Sequence, residues 1–126
     1  MKLSNRELLN SLSGLRSLSQ KELPIKLSYA IAKNLKAIEK ELVIYEKERH
    51  KLVKKYAKLD KEGNPQIDEY KNYIIKEENA LDWQNDIKEL LDIIVDLNIH
   101  KVNLNALEGV KISPSKLGTI DFMLDE

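Results

Sequence analysis

The chain has 126 residues, no cysteine, 42% apolar residues, and 21 Lys/Arg balanced by 21 Asp/Glu. That length suits a single domain spanning 1–126, the apolar content lies far from the disordered regime, and the lack of thiols excludes disulfide frameworks and thiolate metal sites. No apolar run approaches the roughly 20 residues of a membrane span, and the polar start "MKLSNRELLN" is unlike a secretory leader, so a cytoplasmic protein with no membrane partner is expected.

Ser4 followed by Glu7 forms a capping-box pattern and starts a helix predicted over Asn5–Leu18. Leu8, Leu9, Leu12 and Leu15 lie on one face, and Gly14 weakens its end. Pro24 suits the first position of a second helix, Ile25–Lys58. There Ile31, Leu35, Ile38, Leu42, Tyr45, Arg49, Leu52, Tyr56 and Leu59 recur at 4-3 spacing, a heptad seam broken only by Arg49. Such a helix would run about 50 Å, whereas a compact chain of this size is about 36 Å across. A seam of that length is expected to need a second copy, which predicts a homo-oligomer with Ile31, Leu35, Ile38, Leu42, Tyr45, Leu52, Tyr56 and Leu59 at the interface.

Asp60, Gly63, Asn64 and Pro65 end the long helix. Two short extended pieces are predicted at Ile67–Tyr70 and Tyr73–Lys76, with a turn at Lys71-Asn72. Asn79 caps a helix over Ala80–Ile93. The stretch "VDLNIH" alternates Val95, Leu97 and Ile99 with polar residues, the period of a half-buried strand, and the phase slips at Lys101-Val102, where a bulge or strand end is expected. Ser113-Pro114 opens a terminal helix with Leu117, Ile120, Met123 and Leu124 on one face. No internal repeat stands out. The expected fold is mainly α with a minor β element (α+β).

Charge is divided along the chain: residues 1–61 form a basic helical half with 15 Lys/Arg against 7 Asp/Glu, and residues 62–126 an acidic mixed half with 6 against 14. Opposed fields steer association, within a chain or between copies. A nucleic-acid partner is disfavoured, because only Arg6, Arg16 and Arg49 can make the bidentate contact that reads guanine.

No pattern of residues points to catalysis, a cofactor or a metal. The four glycines are scattered, so no phosphate-cradling loop exists. His50 lies in a solvated charged run, and the carboxylate pairs Glu77-Glu78 and Asp82-Asp86 read as solvated or Lys-paired. Tyr45, Arg49 and Tyr56 share one helix face; Arg49 either fixes the register of the seam or, with the two tyrosines, forms a small anion site. His100, on the polar side of the predicted strand, is a further candidate ligand contact.

The segments "KLSNRELLN", "LPIKLSYAIAKNLKAIEKEL", "YEKERHKLVKKYAKLDKEGNP", "VDLNIHKV" and "ISPSKLGTIDFML" together resemble a group of short, functionally uncharacterised proteins encoded by tailed phages and prophages. The resemblance implies a viral accessory protein or the product of a structural-gene neighbour, and supplies no catalytic residues. Three functions are compatible with the residues. The first is a non-enzymatic phage protein that binds a host or viral protein through a self-associating helical module and counters a host function. The others are an anti-defence protein that sequesters a small nucleotide signal, and a nucleic-acid binder.

Overall fold

The computed structural model describes residues 1–125 and resolves into two compact units: Met1–Leu42 with the segment from Ile94 onward, and Val43–Ile93. The chain is mainly helical with short strands, as expected. The basic and acidic halves do not coincide with these units. The first unit carries 11 Lys/Arg against 9 Asp/Glu and the second 10 against 12, because the lysine-rich long helix belongs to both.

In the first unit, β1 (Lys2–Ser4) leads directly into α1 (Asn5–Ser19). The capping box forms: the Glu7 N–H donates to Ser4 Oγ and the Ser4 N–H to Glu7 Oε1, each at 3.1 Å. β1 pairs antiparallel with β2 (Ile94–Asp96), Leu3 opposite Val95. Val95, Leu97 and Ile99 turn inward as the alternation predicts, but the ladder covers only three residues. Beyond Leu97 the chain leaves the pair, and β3 (Val102–Asn103) pairs in parallel with β4 (Leu124–Asp125). The slip in phase at Lys101-Val102 therefore marks the passage from one sheet to another.

Gly14 does not weaken α1. It is buried where α1 meets α4 (Pro114–Ile120), and a Cβ there would lie 1.9 Å from Thr119 Oγ1. A missing side chain lets the two helices approach closely. α4 is capped by Ser113 as predicted but has only seven residues. The apolar face expected to run through Met123 and Leu124 is split: Ile120 and Met123 are buried, and Leu117 stays exposed.

The long helix α2 covers Ile25–Tyr56. Its first half belongs to the first unit, where Leu27, Ala30, Ile31 and Ile38 are fully or almost fully buried. The second half enters the other unit and buries Tyr45, Val53 and Tyr56. The seam on which association was expected is thus largely covered within one chain. Ile31, Ile38, Leu42, Tyr45 and Tyr56 are each at most 6% exposed, Leu35 and Leu52 are half-buried, and Leu59, past the helix end, is exposed. Atoms already desolvated in one copy have little apolar area left to bury against another.

After α2, residues 57–75 form a small meander with isolated bridges at Ala57–Ile75, Leu59–Pro65 and Ile67–Tyr73. Lys58, Gln66 and Ile74 close a ring of backbone bonds. The Lys58 N–H donates to Ile74 O at 2.8 Å, Ile74 to Gln66 O at 3.0 Å, and Gln66 to Lys58 O at 2.8 Å. The two connecting turns are copies of one another. Asp60 Oδ1 accepts from the N–H groups of Glu62 and Asn64, and Asp68 Oδ1 from those of Tyr70 and Asn72. The residue before each Asn has positive φ, Gly63 at 84° and Lys71 at 65°. An eight-residue repeat is therefore present where none stood out in the sequence. A 3₁₀ turn (Glu77–Asn79) then leads into α3 (Ala80–Leu91), which stops two residues before the predicted end. Among the described residues, no helix is long and apolar enough to cross a membrane.

Candidate functional site

The first half of α2 presents two chemically different faces. Leu27, Ala30, Ile31, Asn34 and Ile38 are buried, whereas Lys26, Tyr29, Lys33, Lys36 and Lys40 recur at 3-4 spacing on the exposed side. Residues 98–106 run beside that second face and, with it, enclose two clefts in the first unit.

Asn34 fixes this arrangement. It is 1% exposed, and its Oδ1 accepts from the His100 N–H at 2.7 Å while its Nδ2 donates to the His100 carbonyl at 2.9 Å. Nδ2 also lies 3.5 Å from Met123 Sδ. One side chain thus satisfies both backbone groups of His100, at a place where the chain has left one sheet and not yet entered the next.

With its backbone held, the His100 ring meets the Tyr29 ring edge-on, centroids 5.4 Å apart and planes at 76°. Lys33 Nζ lies 5.4 Å from the Tyr29 ring centroid. On one side of His100 is a cleft of about 760 Å³, walled by Ile25, Val102 and Ala106 and rimmed by Lys26, Lys101, Asn103 and Asn105. On the other is a cleft of about 450 Å³, lined by Lys33, Lys36 and Lys40 with Asn98 and Ile99. Among the described residues, no carboxylate lines either cleft. Lys101 is paired with Asp125 at 3.5 Å. Among the described residues, Lys26, Lys36 and Lys40 make no ion pair. Unneutralised ammonium groups around a concave, partly apolar surface attract anions and supply hydrogen-bond donors.

Of the sequence candidates, only His100 belongs to this site. Tyr45, Arg49 and Tyr56 lie in the second unit. Tyr45 is buried and its ring is part of the core. The Arg49 guanidinium lies over the Tyr73 ring at 5.7 Å. The Tyr56 hydroxyl donates to Asp86 Oδ2 at 2.5 Å, and its ring meets Trp83 edge-on at 6.4 Å. The hydrogen bond to Asp86 holds the Tyr56 phenol above its ordinary range, against the pull of Lys55, whose ammonium lies 5.0 Å from the ring. None of these three side chains lines the clefts around His100.

Sequence reasoning followed the apolar edge of α2 and passed over Lys26, Tyr29, Lys33, Lys36 and Lys40, although their own 3-4 spacing was visible. Asn34, a lone amide among buried apolar positions, was the other available signal. No protein-family model, curated protein or solved structure matches the chain.

Proposed function

We propose that the protein acts by binding a small anionic molecule with a planar part in the clefts around His100, and that it holds this ligand without transforming it. The observation that carries the reading is a lysine-rich, carboxylate-free lining around the Tyr29–His100 ring pair. Together with the resemblance to phage and prophage proteins, it supports a viral factor that sequesters a nucleotide signal in the host cytoplasm. Thermal unfolding against nucleoside monophosphates, diphosphates and cyclic nucleotides tests it. A ligand at 100 times its dissociation constant stabilises the fold by about 2.7 kcal/mol, equivalent to a rise of several degrees for a chain of this size. No rise with any of these compounds at millimolar concentration overturns the reading.

A second reading rests on Val43 and Ile44, adjacent on α2 and 53% and 61% exposed. These side chains, and not the covered seam, support self-association into a homo-oligomer. Light scattering at micromolar concentration tests it, and a monomer of 14.6 kDa overturns it.

A further inference from the structure

The two clefts share one residue, His100, and differ in chemistry. The larger has apolar walls, an aromatic ring and amide side chains, which suit a planar heterocycle: apolar contact over its faces and hydrogen bonds at its edges. The smaller presents three ammonium groups from successive turns of one helix, with Lys36 and Lys40 unpaired among the described residues. That is a surface for more than one negative charge, since each lysine acts as a separate point charge with its own donors. Tyr29 and Lys36 are seven residues apart on α2, about 10.5 Å along the helix axis. A molecule that uses both clefts therefore carries its ring at one end and its charge at the other, joined by a spacer.

We infer that the ligand is a nucleoside diphosphate or a molecule containing one, with the base in the Tyr29 cleft and the diphosphate on Lys33, Lys36 and Lys40, His100 standing between them. This inference rests on the small-anion reading above and adds a division of labour to it. The same chemistry is present in a single-stranded nucleic acid, but the first unit, with 11 basic against 9 acidic residues, has no broad positive field for a polyanion. The free nucleotide is the favoured occupant.

Isothermal titration of the intact protein with ADP, adenosine, inorganic pyrophosphate and a twelve-residue oligothymidylate separates the possibilities. The wild-type protein is expected to bind ADP more tightly than adenosine or pyrophosphate. Lys36→Gln/Lys40→Gln should weaken ADP and pyrophosphate at least tenfold and leave adenosine unchanged. Tyr29→Ala should weaken ADP and adenosine about tenfold and leave pyrophosphate unchanged, which also shows that this variant is folded. All three substitutions are at exposed positions. ADP binding that the double lysine variant leaves unaltered overturns the division between the clefts while the small-anion reading stands. Silence with all four probes overturns that reading itself. An oligothymidylate bound more tightly than ADP, with affinity falling steeply in salt, overturns the nucleotide in favour of a strand.

Discussion

The Asn34 side chain engages His100 through both of its backbone groups, accepting from the N–H at 2.7 Å and donating to the carbonyl at 2.9 Å. Asn34→Ala removes both partners from a place the solvent barely reaches. Each part-buried group left unpaired costs about 1–3 kcal/mol, so the two together predict a loss of about 2–6 kcal/mol in urea denaturation. Asn34→Asp keeps an acceptor for the N–H but sets a carboxylate oxygen against the His100 carbonyl, and should also destabilise. On the proposed function, either change should also weaken binding of the proposed nucleotide by more than a purely surface substitution does, because the His100 ring is no longer held against Tyr29.

Gly14 and Thr119 set the spacing of α1 and α4. Gly14→Ala raises the helix propensity of α1, an advantage of about 1 kcal/mol in an exposed helix. Here the new methyl would lie 1.9 Å from Thr119 Oγ1, which is itself anchored by donating to the Lys116 carbonyl at 2.6 Å. Overpacking of this kind costs about 1–3 kcal/mol, so net destabilisation is expected in chemical denaturation. Adding Thr119→Ala should recover only part of it, since the Cβ of residue 119 remains 2.9 Å from the new methyl.

The repeated turns make opposite predictions for the same backbone position. Lys71 has φ 65° and Gly63 φ 84°, a region that disfavours any side chain. Lys71→Gly should be neutral to stabilising by about 0.5 kcal/mol, the relief of strain being offset by the greater freedom of glycine in the unfolded chain. Gly63→Ala should destabilise by about 1 kcal/mol. Midpoints in guanidinium denaturation read both.

The bond from Tyr56 to Asp86 predicts an alkaline signature. Hydrogen bonding to Asp86 raises the phenol above its ordinary range, so the folded state holds the proton more firmly than the unfolded state. The stability contributed is complete below about pH 10, the unfolded value, and is lost as the pH rises through the folded value. Absorbance of tyrosinate near 295 nm, with Tyr56→Phe as the reference, should show late ionisation of one tyrosine. Asp86→Ala should bring that ionisation earlier.

The helical skeleton was legible because its signals are local. The Ser4–Glu7 cap, the Ser113-Pro114 start and the 4-3 spacing along α2 each depend on neighbours in sequence. The identity of whatever covers the seam was not legible, since apolar spacing records that a face is buried and not by what. Helix length was a poor guide for the same reason, because α2 is shared by two units. The turn repeat is faint in the sequence because its second copy has Lys71 where the first has Gly63; the equivalence rests on the matching backbone and side-chain bonds of Asp60 and Asp68 and the shared positive φ. His100 was picked out for its chemistry. The lysines and tyrosine around it became a site only once Asn34 had drawn residues 98–106 alongside the helix.

The aspartate turns of the meander are self-contained: each is closed by its own carboxylate and asks nothing of the rest of the molecule. The stretches between the turns are not self-contained, since Lys58, Gln66 and Ile74 bond to one another in a closed ring. Inserting one more copy of eight residues at Asn72 would repeat the turn but open the ring, because Ile74 could no longer bond both Lys58 and Gln66. The number of modules is therefore fixed by the closure, and an eight-residue insertion here is expected to lower the midpoint of chemical denaturation.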